Sequence, residues 1–174
     1  MNILMPRIRR CRWLDLCCGS GVMGCEAIQR GAKEVVAVEQ DRRTARIAER
    51  NLQSTAMGCL PKANVAVANR NVQAWLGANA DSAPFDLIYF DPPYGAGLYI
   101  PVLEKISQST LLEASGLLVC EHDKANALDV DQRSWTIHDH RFYGRTGLLF
   151  LTINRPEHCP GGIDSKQPQT TPEA

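Results

Sequence analysis

The sequence has no long hydrophobic run, no excess charge of one sign and no regular cysteine spacing. Its longest apolar stretches have about the length of a strand, and no basic-then-apolar leader opens it, so we expect neither a membrane-spanning helix nor a signal peptide. The 19 basic and 19 acidic residues cancel, so any contact with nucleic acid must come from a local patch rather than from the field of the whole molecule. These absences predict a cytoplasmic protein with no membrane partner.

The cysteines and histidines do not form a recognisable metal pattern. The seven cysteines are an odd number without C-x-x-C spacing, and Cys17, Cys18 and Cys120 lie in apolar runs, which is typical of small buried thiols. His138 and His140 would share one strand face, but no third ligand is evident. We therefore predict that no metal is bound.

What is present is an ordinary globular composition, with 44% hydrophobic and 22% charged residues in a chain of 174. This length and composition predict one domain, which we assign to residues 1–155. From Pro156 onward proline, glycine, serine, threonine and glutamine dominate and no periodicity survives. Residues 156–174 are therefore predicted to be a disordered tail.

The most informative stretch spans residues 85–95, FDLIYFDPPYG. An apolar run typical of a buried strand stops at Pro92 and Pro93, which have no N–H, and Pro92 holds Asp91 extended at the strand's carboxyl edge. Ligands bind at that edge in open α/β sheets. The Asp91 carboxylate and the Pro92 carbonyl could accept the two hydrogens of a nucleobase amine while Tyr94 stacks on the base. The alternative is a strand end followed by an ordinary turn.

A second ligand signature is a glycine turn between a strand and a helix. The strand Trp13–Cys18 runs into Gly19-Ser20-Gly21 and, with Gly24, spells G-x-G-x-x-G, while Glu39 ends the next strand where a ribose-binding acid is expected. This pattern is typical of nicotinamide dinucleotide sites. Asp15, in the first strand, carries a negative charge that would not help the turn to bind a pyrophosphate but would help it to bind a cation. It therefore favours S-adenosylmethionine, which carries an ammonium and a sulfonium and no phosphate.

Four other features each have two interpretations. Asn71 follows a strand at residues 63–69 and could pair with the adenine amino group or cap the next helix. The four arginines of Arg7–Arg12 could contact phosphates beside the cleft or belong to a solvated linker. The segment Arg141–Arg145 could be part of an RNA surface or a solvated hairpin. The arginines of the helix that Asp41 caps are interpreted as a solvated face beside the apolar stripe of that helix.

Five strands alternate with helices in the predicted order, and two strands follow without a helix. The fifth strand is Leu117–Glu121 after a turn at Gly116, and the last two are Ser134–Phe142 and Gly147–Ile153, joined by a hairpin turn. This layout is typical of a seven-stranded class I methyltransferase.

Within this layout the sequence closely resembles the RsmD family, whose members are 16S ribosomal RNA guanine-N2 methyltransferases. The motifs that carry the resemblance are Asp15–Gly21, Val38–Arg42, Asn69–Leu76, Phe85–Tyr94 and the Gly144 hairpin. The resemblance implies an α/β, Rossmann-like class I fold that uses S-adenosylmethionine, with a seven-stranded, mostly parallel sheet and a C-terminal antiparallel hairpin. It also implies a monomer that methylates the N2 amine of a guanine in 16S ribosomal RNA of the small subunit or its assembly intermediate.

With this resemblance we assign the site residue by residue. The catalytic set that contacts the base is Asp91, Pro92, Pro93 and Tyr94. The cofactor set is Asp15, Gly19, Ser20, Gly21, Glu39, Gln40, Asn71 and Asp91.

The sequence departs from the family pattern in two ways. Cys17 and Cys18 stand where the family has Phe-Ala, a change that should leave the cofactor turn intact. The family also has an N-terminal segment that we expect this chain to lack, because Met1-Asn2 aligns with the end of the helix in that segment. Without the segment we expect the cofactor site to form but RNA to be methylated poorly. Three other interpretations stay open: an Asp-Pro-Pro-Tyr methyltransferase of DNA adenine-N6, a nicotinamide-dependent oxidoreductase, and a cofactor-binding module with little activity.

Overall fold

Helices and strands alternate along the chain until the fifth strand, after which two strands follow without a helix. The structure, a computed structural model, describes residues 4–126 and 128–155, so the tail predicted at 156–174 lies outside the described residues. The strands are β1 (Arg12–Leu16), β2 (Glu34–Glu39), β3 (Asn64–Asn69), β4 (Phe85–Phe90), β5 (Leu112–Asp123), β6 (Trp135–Tyr143) and β7 (Thr146–Ile153). The helices are α1 (Met5–Ile8), α2 (Val22–Gln29), α3 (Arg42–Met57), α4 (Val72–Ala78) and α5 (Tyr99–Ser107).

The strands form one seven-stranded sheet in the order β3-β2-β1-β4-β5-β7-β6. β1 to β5 run parallel to one another, and β7 pairs antiparallel with both β5 and β6. The predicted class I fold, with its C-terminal antiparallel hairpin, is therefore confirmed. The chain reverses its direction of travel across the sheet between β1 and β4, and such a switch point opens a crevice at the carboxyl ends of the strands.

Alternate side chains of each strand enter two hydrophobic cores, one on each side of the sheet. On β1, Leu14 and Leu16 pack in the core that α4 and α5 cover. Trp13 packs on the side of α2 and α3 and stacks on Tyr89 of β4, with ring centroids 6.0 Å apart. This burial on both faces fixes the register of the two central strands, with Leu16 opposite Phe90, and so aligns their carboxyl ends.

Helix α3 forms as the local sequence predicts. The Asp41 carboxylate caps it by accepting the Thr44 N–H at 2.8 Å. Its buried residues are the predicted apolar stripe, Ala45, Ala48, Leu52 and Ala56. Because this stripe faces the protein, the helix leaves its arginines exposed to solvent.

β1 is shorter than predicted. It ends at Leu16 because the next residue, Cys17, has a φ of 61° and leaves the extended conformation. Cys17 and Cys18 therefore belong to the turn and are half-buried, whereas Cys11 and Cys120 are buried. Burial raises the pKa of the Cys17 thiol to about 12, so this thiol stays protonated near neutral pH.

β5 is longer than predicted. It begins at Leu112, and Gly116, which the sequence placed in a turn, is part of the strand. Extra residues before Leu117 shift the pairing with β4, so this end of β5 bulges. A Cβ on Gly116 would lie 2.7 Å from Leu112 Cδ1, and this close approach explains the glycine.

The arginines of Arg7–Arg12 do not lie beside the carboxyl ends of the strands. Arg12 begins β1 at the amino edge of the sheet, where its guanidinium pairs with Glu34 at 2.7 Å and donates to two carbonyls of the loop before β4. Arg7 donates to the Ser115 carbonyl at 2.8 Å, also on this side. The interpretation that this cluster contacts phosphates beside the cleft is therefore wrong, because the length of β1 separates the two edges.

A histidine pair lies between β5 and β6. His140 approaches the buried His122, with the two Nε2 atoms 2.9 Å apart. Within residues 4–126 and 128–155, no group of three or more His, Cys, Asp or Glu side chains could hold a metal ion. Over the same residues, no helix combines the length and the apolar character that crossing a membrane requires.

Candidate active site

A cavity of about 450 Å³ lies at the carboxyl ends of β1 to β5, at the switch point between β1 and β4. This volume falls within the range of about 300–1,000 Å³ that is typical of small-molecule sites. The turns after several different strands contribute to it, so its composition depends on the sheet order. The lining residues are Cys17, Gly19, Val38, Glu39, Gln40, Arg70, Val72, Asp91, Pro92, Pro93, Tyr94, Leu98 and Glu121.

The three glycines of the turn after β1 have separate geometric roles. Gly19 has a φ of +54°, and a Cβ built on it would meet no atom within 4 Å, so its backbone opens onto the cavity. Gly21, with a φ of +79°, begins α2, and its Cβ would lie 3.3 Å from Ala48 of α3. A Cβ on Gly24 would lie 2.8 Å from Leu52. Only the first glycine faces the cavity, and the other two let α2 pack closely on α3.

Asp15 lies beneath this turn and outside the cavity lining. It is 2% exposed, and its Oδ2 accepts the Gly24 N–H at 3.2 Å, which ties the first turn of α2 to β1. Burial raises the pKa of Asp15 to about 7; the Gly24 hydrogen bond opposes this shift, and the charges of Asp91 and Glu39 add to it. Its direct contact with a cationic cofactor stays a prediction, and the contact that the structure shows holds the turn.

Glu39 lines the cavity at the end of β2 and organises the loops around it. Its Oε2 accepts the Gly19 N–H at 3.0 Å, and its Oε1 accepts the Asp41 N–H at 2.8 Å. Each carboxylate oxygen has a further lone pair, so the group can still accept hydrogen bonds from a ribose diol. Glu39 is thus both a support for the glycine turn and a candidate ligand contact.

Asn71 caps α4, which is one of the two interpretations that the sequence left open. Its Oδ1 accepts the N–H groups of Gln73 at 3.0 Å and Ala74 at 3.3 Å. Its Nδ2 lies 3.5 Å from Oε1 of Gln40, which lines the cavity. The cap uses Oδ1, the acceptor that would have paired with the adenine amino group. Asn71 is therefore connected to the cavity through two lining residues, Gln40 and the neighbouring Arg70.

The segment after β4 supplies an acceptor and an aromatic surface. The Asp91 N–H donates to the Leu16 carbonyl at 3.4 Å, and the Ala96 N–H donates to the Pro93 carbonyl at 3.1 Å, which hold the segment in place. The Asp91 carboxylate accepts no hydrogen bond from the residues that the structure describes. The Tyr94 ring is 47% exposed. Both groups are therefore free to contact a ligand.

Glu121 is a lining residue that the sequence analysis did not assign. The register of β4 and β5 brings it beside Asp91, and its Oε2 accepts the Tyr89 hydroxyl at 2.5 Å. Partial desolvation, and then the Glu121 charge, raise the pKa of Asp91 to about 6. The available signal was an acid that ends a predicted strand, which is the signal that identified Glu39.

The predicted site residues divide into those that line the cavity and those that support it. All four predicted catalytic residues line it: Asp91, Pro92, Pro93 and Tyr94. Of the predicted cofactor residues, the lining contains Gly19, Glu39, Gln40 and Asp91. Those outside the lining are Asp15, Ser20, Gly21 and Asn71.

The charge of the lining distinguishes between the two cofactors that the glycine turn allows. Glu39, Asp91 and Glu121 contribute carboxylates, and among the described residues Arg70 is the one Lys or Arg in the lining. These carboxylates repel a pyrophosphate and attract a ligand that carries an ammonium and a sulfonium. The residues present therefore fit S-adenosylmethionine better than a nicotinamide dinucleotide.

The sheet order, together with a cavity at its switch point, is that of the class I methyltransferase fold. Residues 1–152 match the family described as Conserved hypothetical protein 95. The chain belongs to this family, the RsmD family, as its motifs predicted.

Individual relatives are similar over most of the chain. The Ribosomal RNA small subunit methyltransferase D of Escherichia coli (strain K12) is 27% identical over 144 residues, which are 83% of this chain and 69% of that protein. The protein of the same name from Haemophilus influenzae is 29% identical over 136 residues, 78% of this chain and 68% of that protein. The solved structure of yhhF from Escherichia coli has a TM-score of 0.77 at 25% identity, covering 89% of this chain and 84% of that chain.

Proposed function

We propose that this protein transfers a methyl group from S-adenosylmethionine to the exocyclic N2 amine of a guanine in 16S ribosomal RNA. The observation that carries the proposal is the pair of adjacent carboxylates, Asp91 and Glu121, beside the exposed Tyr94 ring in one acidic cavity. Support for the RNA comes from relatives that are named small-subunit ribosomal RNA methyltransferases. We expect a monomer that acts in the cytoplasm on the small subunit or its assembly intermediate.

Two adjacent carboxylates favour guanine over adenine. The Watson–Crick edge of guanine offers two neighbouring donors, N1–H and the N2 amine, whereas adenine offers one amine next to the N1 acceptor. In the proposed arrangement Asp91 and the Pro92 carbonyl accept the amine hydrogens, and Glu121 accepts N1–H. An adenine in the same position would set its N1 lone pair against the Glu121 carboxylate, and an unsatisfied buried polar group costs about 1–3 kcal/mol.

The chain's own residues hold and orient the reacting amine. S-adenosylmethionine, when bound, supplies an electrophilic methyl group, and Gly19, Glu39 and Gln40 would hold it. Stacking on Tyr94, at about 1–3 kcal/mol per base, offsets part of the cost of moving the base out of its stack. Asp91 and the Pro92 carbonyl fix the direction of the amine lone pair. The amine loses a proton once it carries the methyl group.

Asp91 is a suitable acceptor for this proton. Its pKa, raised to about 6, leaves it ionised near neutral pH but makes it a better base than an ordinary aspartate. Transfer to solvent can follow because Asp91 is exposed at the edge of the cavity. A protonated Asp91 would lose one acceptor for the amine, so ionisation of this residue is required before the reaction.

The test is a nucleoside analysis of 16S ribosomal RNA. The purified protein, S-adenosylmethionine with an isotopically labelled methyl group, and small subunits from a strain that lacks the endogenous enzyme are incubated. The RNA is then digested for mass spectrometry. We expect labelled N2-methylguanosine with the wild type and none with Asp91→Ala. Asp81→Ala, an exposed aspartate in the loop before β4, is the matched control and should keep the wild-type rate.

The alternative functions give different results in the same design. A DNA adenine-N6 methyltransferase would label no guanine in the RNA, and it would label adenine when DNA replaces the small subunits. A cofactor-binding module would bind S-adenosylmethionine in calorimetry and label no nucleoside. Either result contradicts the proposed function.

A further inference from the structure

Helix α3 carries four exposed arginines on one side. At about 100° per residue they fall within an arc of about 100° on the helix surface, away from the buried stripe. Arg42 and Arg46 line a shallow groove with Glu49 of the same helix and with Asn69, the last residue of β3, and Arg70 follows Asn69 directly. We refer to these five residues as the arginine face: Arg42, Arg43, Arg46, Arg50 and Arg70.

In the part of the chain that the structure describes, the five guanidinium groups of the arginine face outnumber the carboxylates beside them, those of Asp41 and Glu49. The ion pairs found there involve other arginines, and none of the five guanidinium groups has a carboxylate oxygen within 4.0 Å. Asp41 uses its carboxylate to cap α3, and the Glu49 carboxylate lies 3.5 Å from the Gln53 amide. At the opposite edge of the sheet, by contrast, Arg12 is bound by Glu34.

Repulsion among these arginines is only partly offset. Arg42 and Arg43 begin α3, where their charges oppose the positive end of the helix dipole, and the N-cap Asp41 is the acidic residue beside them. Arg42, Arg46 and Arg50 follow one another at i, i+4 spacing, where like charges repel and destabilise a helix. A polyanion bound along this row of charges would neutralise the remaining repulsion.

The arginine face continues into the cavity. Arg70 lines the cavity and follows Asn69, whose side-chain amide donates to the carbonyls of Glu39 and Gln40 at 2.9 Å. β3 lies three strands from β4, which is about 14 Å at about 4.8 Å per strand. A few nucleotides of an RNA strand span this distance. A strand whose target base contacts Asp91 can therefore reach α3.

We propose that the arginine face binds the phosphate backbone of the RNA substrate, a few nucleotides from the target base. This inference rests on the proposed function, because the RNA is the substrate named there. Guanidinium groups bind phosphate oxygens bidentately, and each contact releases condensed counterions. Affinity for RNA must then fall with salt more steeply than the neutral net charge of the chain would indicate.

The test compares two double variants that lose the same charge. Arg46→Gln with Arg50→Gln removes two charges from the arginine face, and Arg9→Gln with Arg10→Gln removes two from the amino edge of the sheet. Binding of a fluorescently labelled 16S ribosomal RNA transcript is measured by anisotropy over a series of salt concentrations. We expect the log–log salt slope to fall by about 1.4–1.8 for the arginine-face variant, at roughly 0.7–0.9 per phosphate contact, and to stay unchanged for the control.

Thermal unfolding separates this role from a structural one. The arginine-face variant should unfold at the same temperature as the wild type or a higher one, because a pair of like charges is removed. A lower unfolding temperature, or a salt slope equal to that of the control, overturns the inference. If the wild type labels no guanine in the small subunit, the proposed function fails and this inference with it. An active wild type with an unchanged slope in the arginine-face variant rejects this inference alone.

Discussion

Asp91 and Glu121 show how carboxylates at adjacent strand ends change each other's chemistry. Partial desolvation raises the pKa of Asp91, and the negative charge of Glu121 raises it further, to about 6. A carboxyl group with a raised pKa is ionised only above that value, so Asp91 gains its full capacity as an acceptor above about pH 6 and loses it as the pH falls. Methyl transfer should therefore decline on the acid side, with a midpoint near the pKa of Asp91.

We predict that Glu121→Gln moves this acid limb to lower pH. The amide removes the charge that raises the pKa of Asp91, whereas desolvation, the larger cause, remains, so the midpoint should stay above the ordinary value of 3.8. Single-turnover methyl transfer as a function of pH measures the limb, and NMR of the Asp91 carboxyl carbon gives the pKa even where the variant is slow. Glu104→Gln, on α5, is the matched control. A midpoint that stays in place or rises would refute this account.

At the residue scale, the sequence identifies the site where the signal is local. Asp91 and Glu39 could be predicted because an acid that ends an apolar strand lies at the ligand-binding edge of a parallel sheet. Asp15 also belongs to a strand, but its burial beneath Gly24 depends on how α2 packs, which no local pattern specifies. Arg70 enters the lining only because β3 lies at the sheet edge beside β2.

Helix α4 positions part of the cavity through its cap. Asn71 satisfies two N–H groups of the first turn and places Gln40 and Arg70 beside it. We predict that Asn71→Ala lowers the free energy of unfolding by about 1 kcal/mol, the typical cost of losing such a cap, and that Asn71→Asp retains most of it because its carboxylate still accepts. Urea unfolding of the three proteins measures this.

The two interpretations of Asn71 differ in how it affects the cofactor. If the residue is a cap, the affinity for S-adenosylmethionine in Asn71→Ala should change by no more than a few-fold, because the acceptor is already used within α4. A loss of affinity without any loss of stability would instead favour direct pairing with adenine. Calorimetry on the same samples decides between the two.

At the element scale, prediction succeeded where an element is specified by its own residues. The end of β2 at Glu39 was predicted because this acid closes an apolar run. The predicted start of β5 was wrong because glycine is common in turns, and Gly116 was assigned to one. Gly116 instead belongs to the bulge that forms where β5 pairs with β4. The predicted end of β1 was wrong because Cys17 adopts a left-handed conformation, which ends the strand. This conformation belongs to the turn beside the cavity and is not apparent from the apolar run itself.

At the scale of the whole molecule, a net charge of zero conceals a division of charge. Carboxylates gather in the cavity, and unpaired guanidinium groups lie beside it on α3, whereas Arg12 at the amino edge is bound by Glu34. Composition alone excludes a strong overall field but cannot locate these regions, because both depend on the order of strands in the sheet. The acidic region suits a cationic cofactor and the basic region suits a polyanion, so one edge of the sheet can serve both ligands.

The last prediction concerns how the cavity couples to the stability of the whole domain. The carboxyl ends of β1 to β5 and the residues after them line the cavity, so a ligand that fills it contacts elements that separate on unfolding. A ligand at 100 times its dissociation constant stabilises a protein by about 2.7 kcal/mol. We predict that S-adenosylmethionine raises the unfolding temperature in scanning fluorimetry and that NAD does not, because the three carboxylates of the lining repel a pyrophosphate. Glu39→Ala should reduce the ligand-induced rise relative to its own ligand-free form, since a ribose acceptor is lost, whereas Glu49→Ala on α3 should leave it unchanged. A rise with NAD and none with S-adenosylmethionine would mean that the glycine turn holds a dinucleotide despite the acidic lining.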